Sequence, residues 1–293
     1  MQEGTRKTND FKIAAAVVLF RPPESVIQNI ETYRCDVGVL YVFDNSPWFR
    51  SDFAEAFRKL GNVKYLTKGI NIGIAAALNI AAHRARDEGY HYLLTMDQDS
   101  AASDEMLARM FDCIDDDETI GLITPFHQDR NAPKLIPENK CEPLTVAMSS
   151  GSLLNLQAHN AVGGFTEKLF IDYVDTEYCL RLKLQGFRVI RSNKAILTHS
   201  LGNFTVRKFF GRTVYPYNHS PIRLYYQSRN RFYLRRLYGS AFPDYFRYDL
   251  KLFLGGIVKI ILYEEQPLAK LAMVIRGLIA FVRNDFSVFQ SQE

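Results

Sequence analysis

Apolar residues come in blocks over the first hundred positions, and turn-forming residues separate the blocks. Residues 13–20 (IAAAVVLF) form a continuous apolar run, the pattern of a strand covered on both faces. Pro22 and Pro23 end it, and 24–33 reads as a helix. Residues 37–43 (VGVLYVF) predict a second strand, closed by Asp44-Asn45-Ser46-Pro47, residues that favour turns. A short helix over 51–60 has Gly61-Asn62 just past its end, where a C-cap belongs. A third strand follows at 63–66, and an alanine-rich helix covers 73–88 and stops at Gly89. A fourth strand, 91–96, runs into Asp97-Gln98-Asp99-Ser100. This βαβαβαβ order predicts an α/β fold around a mostly parallel, doubly wound sheet.

Beyond residue 100 the pattern loosens. A helix is expected over 103–114, a strand over 121–124, and a loop rich in Pro and Lys over 131–143. Residues 146–156 carry Ser149-Ser150-Gly151-Ser152 inside a strand-like frame. A helix over 176–185 ends at Gly186, and a strand follows over 188–197. After His199 the chain turns basic and aromatic, with helices expected over 222–237, 244–263 and 268–283. No internal repeat or low-complexity tract occurs.

Composition narrows the class. The 293 residues are 47% apolar and 23% charged, which suffices for a packed core in one large domain, or one domain with an appended module. Disordered, collagen-like and disulfide-stapled chains are thereby excluded. Cys35, Cys113, Cys141 and Cys179 lie far apart with no CxxC pair. That spacing argues against a zinc ribbon or a thioredoxin-type site and predicts free thiols in a reducing cytoplasm. The polar start leads straight into the first strand, without the pattern of a secretory signal. No stretch reaches the roughly 18 uncharged apolar residues of a membrane span.

The net charge of +4 conceals an asymmetry. Residues 87–119 hold eleven acidic residues against one basic, and 181–250 hold fourteen Lys and Arg against two Asp. A segment so basic, and rich in Tyr and Phe, calls for a negative counterpart: nucleic acid, a phosphorylated small molecule or an anionic membrane.

Ligands of open α/β sheets bind at the carboxyl ends of the strands. Here those ends carry Arg21, Asp44-Asn45 and Asp97-Gln98-Asp99. Two carboxylates two residues apart are hard oxygen donors that suit Mg²⁺ or Mn²⁺ holding a diphosphate; a solvated acidic turn has the same spelling. Asn71 and Gly73, in NIGIAAALN, stand at the mouth of a helix, where free backbone N–H groups and the dipole favour anions. Capping and small-residue packing would explain the same string. Asp172, Asp175 and Glu177 fall within six residues after Leu169-Phe170-Ile171. Helix caps account for one or two acids there, and a carboxylate at a cleft edge can deprotonate an acceptor hydroxyl. His199 suits either a structural role or a metal site beside a diphosphate. Arg229, Arg231, Arg235 and Arg236 mix with aromatics in YYQSRNRFYLRR. Such a helix fits a nucleic-acid patch, or one that neutralises phosphates or lies under lipid headgroups.

Taken in order, IAAAVVLF, VFDNS, NIGIAAALN, MDQDS, SSGSL and FIDYVDTEYCLRLKLQGFRV resemble the GT-A-fold family 2 glycosyltransferases, most closely their bacterial rhamnosyltransferase branch. The resemblance covers roughly residues 12–240. It implies a catalytic GT-A domain over 11–215 that binds a nucleotide sugar, followed by a basic, aromatic and amphipathic helical region over 216–293. It implies that Asp44 contacts the nucleotide base or ribose and that Asn71 and Gly73 line the nucleotide pocket. Asp97 would contact the ribose or the metal shell, and Asp99, with His199, would hold Mg²⁺ or Mn²⁺ on the diphosphate. Gly151 would approach the sugar or acceptor closely. Asp175 would be the catalytic base, with Val174 standing where the family often has Glu. The implied reaction is a metal-dependent, inverting transfer of a hexose, L-rhamnose from dTDP-L-rhamnose, to a lipid-linked or growing bacterial surface glycan.

Two other classes remain open on the residues alone: a polysaccharide-binding protein whose acids are only caps, and a nucleic-acid-binding protein. No nucleic-acid motif occurs, and the acidic block at 87–119 opposes a polyanion, so nucleic acid is not expected as a partner. The apolar stretches 252–263 and 268–282 are broken by Lys259, Lys270 and Arg276, which suits amphipathic helices. They would lie on the inner face of the cell membrane, or pack as core or against a second copy.

Overall fold

The computed structural model describes residues 11–114, 117–129, 138–199, 207–209, 212–214, 216 and 218–289. The first four apolar runs form β1 (Ile13–Leu19), β2 (Val39–Asp44), β3 (Val63–Thr67) and β4 (Tyr92–Asp97). Between them lie α1 (Val26–Glu31), α2 (Ser51–Arg58) and α3 (Ile74–Asp87). The strands pair in parallel in the order β3-β2-β1-β4. β1, β2 and β4 are buried almost end to end, which is why their sequences do not alternate.

The second half follows as β5 (Ser100–Ala102), α4 (Met106–Phe111), β6 (Ile120–Asp129), β7 (Cys141–Pro143), β8 (Ser152–Asn155), α5 (Leu156–Val162), α6 (Val174–Leu184) and β9 (Arg188–His199). β8 inserts antiparallel between β4 and β6, β6 and β9 run parallel, and β9 carries β5 and β7 antiparallel. The sheet is therefore a mixed, mostly parallel one with helices, as in the GT-A fold. α4 is shorter than expected because Glu105 before it takes φ +59, so its acidic lead-in turns instead of coiling. Residues 141–143 belong to a strand and not to the expected loop; 131–137 of that loop lie outside the described residues.

The cysteines require a correction. Cys113 and Cys141 form a disulfide with Cα atoms 5.9 Å apart, where free thiols were expected. Cys113 follows α4, Cys141 opens β7, and both elements pack on β9. The sheet thus brings together two cysteines 28 positions apart. Cys35 and Cys179 are free, and burial pushes the Cys179 thiol up to about 12.

The described chain divides into two compact units. The first, residues 11–167 and 175–199, is the sheet with its helices. The second comprises Lys168–Val174 and the described residues from 207 onward. It holds an antiparallel ribbon, β10 (Arg207–Phe209) with β11 (Arg212–Val214), and the three expected helices, α7 (Pro221–Tyr238), α8 (Pro243–Tyr263) and α9 (Pro267–Val282). Each helix has Pro in its first turn, where the missing N–H costs nothing. α9 approaches α7 so closely that a Cβ on Gly277 would stand 2.3 Å from the Tyr225 carbonyl oxygen. Among the described residues no helix is long and apolar enough to cross a membrane.

Candidate active site

In the first unit the carboxyl ends of β1, β2 and β4 lie side by side, with Leu19 in register with Asp44 and Val18 with Asp97. Asp44 is buried there. Its Oδ1 accepts the Ser46 N–H at 2.8 Å and its Oδ2 accepts the Tyr65 hydroxyl at 2.5 Å. Burial, then that bond to a carboxylate, holds the Tyr65 hydroxyl well above its ordinary pKa. Asn45 is the fastener beside it. Its amide nitrogen donates to Gly73 O at 3.1 Å, and its Oδ1 accepts the Ile72 N–H at 3.3 Å. Asn71 Oδ1 accepts the Gly73 N–H at 2.9 Å, and Gly73 takes φ +84, a conformation that favours glycine. Asn71 and Gly73 therefore do form the mouth of α3, and Asn45 joins that mouth to the end of β2. Arg21, at φ +48, donates its N–H to Ser46 Oγ at 2.9 Å. Its guanidinium lies over the half-exposed rings of Phe20 and Trp48, at 5.3 and 5.1 Å.

Uncharged neighbours help to hold the Asp97–Asp99 turn. The Phe20 N–H donates to Gln98 Oε1 at 2.9 Å, and Asn29 Nδ2 donates to Gln98 O at 2.9 Å. Ser150 Oγ accepts the Asp97 N–H at 3.2 Å and lies 2.8 Å from Ser100 Oγ. The Gly151 N–H donates to Thr95 O at 2.7 Å. Gly151 itself has φ +74, and a Cβ there would meet Leu197 and Pro125 at 2.8 Å. The packing of the sheet thus requires this glycine independently of any ligand. β5 sets Ser100 in register with His199, so the end of β9 runs beside the acidic turn; the His199 side chain lies outside the described residues.

Among the described residues no three His, Cys, Asp or Glu cluster closely enough to cage a metal. Mg²⁺ seldom needs such a cage, because one or two carboxylates with substrate phosphates and water complete its shell. Asp97 and Asp99 are donors of that kind.

The acids at 172–177 separate by role. Asp175 lies in the first turn of α6, with Oδ1 accepting the Thr176 N–H at 2.7 Å. Glu177 is buried and accepts Arg181 Nε and Nη2 at 2.8 and 2.7 Å and the Thr166 hydroxyl at 2.8 Å. Arg181 also donates to Val162 O and Gly164 O. Close by, Asn79 donates to Phe165 O at 2.9 Å and accepts the Phe165 N–H at 2.8 Å. Asn79 closes the NIGIAAALN string, and only its position on the buried side of α3 could have marked it as a fastener.

In the second unit Asp172 accepts Arg223 Nε and Nη2 at 3.2 and 2.8 Å. Phe170, Asp172 and Tyr173 take φ +65, +60 and +65. Each such residue costs on the order of 1–3 kcal/mol, so its surroundings must impose it. The Asn230 amide nitrogen reaches Leu169 O, Ile171 O and Asp172 O, each at 2.9 Å. Fully buried Arg229 donates to Lys168 O and Leu169 O at 3.1 and 3.2 Å. Arg231 pairs with Asp249 at 2.9 Å, Arg235 donates to Phe246 O at 3.0 Å, and Arg236 donates to Asn284 at 3.1 Å. The four arginines read from sequence as facing phosphate or headgroups are engaged inside their own unit.

Residues 23–171 match Glycosyl transferase family 2. Over 245 residues the chain is 29% identical to the dTDP-rhamnosyl transferase RfbF of Shigella flexneri, covering 76% of this chain and 80% of RfbF. The mannosyltransferase PcManGT of Pyrobaculum calidifontis, solved with GDP-Man and Mn²⁺, superimposes with a TM-score of 0.60 at 11% identity, over 94% of this chain and 88% of that one. GalNAc-T7, solved with UDP, GalNAc and Mn²⁺, gives a TM-score of 0.60 at 14% identity over 80% of this chain. This chain covers 49% of GalNAc-T7, about half its length. At these identities the structural likeness establishes the fold.

Proposed function

The chain belongs to glycosyl transferase family 2, and on that premise we propose that it moves L-rhamnose from dTDP-L-rhamnose to a lipid-linked or growing bacterial surface glycan. The observation that carries the reading is the meeting of Asp44, the Asn45–Gly73 clamp and the Asp97–Asp99 turn at the carboxyl ends of adjacent parallel strands. An open α/β sheet binds its nucleotide there. The choice of donor rests on the likeness to RfbF.

In this reading residues 11–215 are the catalytic domain and 216–293 a basic, aromatic and amphipathic helical region. Asp44 contacts the base or ribose, Asn71 and Gly73 line the nucleotide pocket, and Asp97 reaches the ribose or the metal shell. Gly151, set behind the acidic turn, borders the sugar or acceptor. Asp99 and His199 would hold Mg²⁺ or Mn²⁺, which when bound would neutralise charge on the departing diphosphate. Asp175 accepts the proton of the acceptor hydroxyl as that oxygen bonds to the anomeric carbon. The bond from that carbon to the diphosphate oxygen breaks in the same displacement, so the configuration inverts. Such a base contributes about 10²–10⁴-fold.

The test is release of nucleotide from dTDP-L-rhamnose, UDP-sugars and GDP-sugars by the full chain, with and without a chelator. Turnover with dTDP-L-rhamnose that the chelator stops is expected. Asp99→Ala should remove metal-dependent donor binding in calorimetry while circular dichroism stays unchanged. Release from UDP-sugars alone would refute the rhamnose assignment, and undiminished turnover in chelator would refute the metal.

A further inference from the structure

We propose that the outward faces of α8 and α9 seat the protein on an anionic lipid bilayer. The inference uses the second unit alone and does not depend on the sugar-transfer reading.

On α9, Leu268, Ala272, Ile275, Ile279 and Val282 follow the i, i+4, i+7, i+11, i+14 spacing of one helix face. All five are exposed, Leu268 by 82% and Val282 by 77%. The opposite side, with Val274, Gly277 and Ala280, is the buried one. α8 repeats the arrangement. Phe246, Asp249 and Ile260 are buried, whereas Leu254, Val258, Ile261 and Leu262, which share one side of the helix, stand more than half exposed. A helix on a protein surface normally turns charged and polar residues outward. A contiguous aliphatic face of this extent marks a surface that meets another apolar phase.

Charge selects the occupant. Arg276 and Arg283 are exposed one step round α9 from the aliphatic stripe, and Lys251 is exposed on α8. α9 contains no acidic residue. On α8, Asp249 is taken by Arg231, and Asp244 sits in the first turn against Arg247. Glu264, between the helices, is buried against Lys270, and Glu265 is the exposed acid of that turn. A second copy docked through the same face would set the same excess of cations on both sides of the seam. An anionic leaflet offers the complementary sign together with an apolar interior. Since neither helix is apolar enough to cross, both lie in the plane of the interface.

The experiment is co-sedimentation of the full chain with phosphatidylglycerol-containing vesicles and with pure phosphatidylcholine vesicles, at low and high salt. Binding to the anionic vesicles that weakens with salt is expected. Arg276→Gln and Arg283→Gln should each weaken it about fivefold, the factor for about 1 kcal/mol per basic residue. Leu268→Ser with Ile275→Ser should abolish it without changing circular dichroism or the thermal midpoint, because both side chains are exposed. Failure to bind anionic vesicles at low salt would overturn the proposal. So would equal binding to phosphatidylcholine, or a dimer in light scattering that Ile275→Ser dissociates while vesicle binding is absent.

Discussion

The two acidic runs, 97–99 and 172–177, look alike in sequence, and different side chains hold each in place. At Asp97-Gln98-Asp99 the turn is tied down by Gln98, Ser100 and Ser150, through backbone groups of Phe20, Asn29's amide and hydroxyl contacts. At 172–177 the carboxylates themselves are fasteners. Asp172 meets Arg223, and Glu177 meets Arg181 in a buried pair. A count of acids therefore says little about a site. What matters is what each carboxylate is tied to: Asp172 and Glu177 are tied to Arg223 and Arg181, and Asp175 is the base of the proposed function.

The contrast can be tested most strongly at Asp175. Asp175→Asn should lower kcat by about 10²–10⁴-fold while calorimetry shows near-normal donor affinity, because an amide cannot take the proton. A larger loss in Asp172→Asn would move the base three residues earlier and reverse the assignment. Next in size is the buried fastener. Glu177→Gln leaves Arg181 without its counter-charge and should cost about 3–5 kcal/mol in urea unfolding. Asp172→Asn, whose partner Arg223 is 45% exposed, should cost about 1 kcal/mol or less. Equal losses from the two would erase the distinction between buried and exposed pairs.

A pH-dependent effect comes from His159, which packs on Tyr178 beside the Glu177 pair. Burial, then the nearby His83, lowers its pKa from 6.5 to about 4. The folded state resists a proton that the unfolded chain accepts, so stability is full above the unfolded value and falls as pH drops. The loss should run from about pH 6.5 to about pH 4, at about 1.4 kcal/mol per unit, or about 3 kcal/mol in all. His159→Phe should flatten that limb of a stability-against-pH curve; an unchanged slope would place the titration elsewhere.

Much of the fold was legible because local rules governed it. The runs at 13–20, 37–43, 63–66 and 91–96 became parallel strands, and glycine or proline stops sat where elements end. The three C-terminal helices fell within two residues of their expected ends. The places of Asp44, Asp97 and Asp99 were legible for the same reason, since a strand that ends in polar residues delivers them to one edge, and Asn71 and Gly73 were legible as the mouth of a helix. Asn45, Gln98, Ser150 and Asn79 were not legible as fasteners, because their partners come from other elements, 27 to 86 positions away.

By itself, then, the sequence determined the alternation of the first four strands with three helices, the parallel half of the sheet and the edge at which its polar residues gather. Periodicity, glycine and proline act over a few neighbouring residues. Only the tertiary structure decided the insertion of antiparallel β8, the pairing of Cys113 with Cys141, the burial of Arg229 and the outward turn of the aliphatic faces of α8 and α9. Each depends on which distant surface is covered, and a helix or cysteine carries the same local spelling whether its neighbour in space is protein, lipid or water.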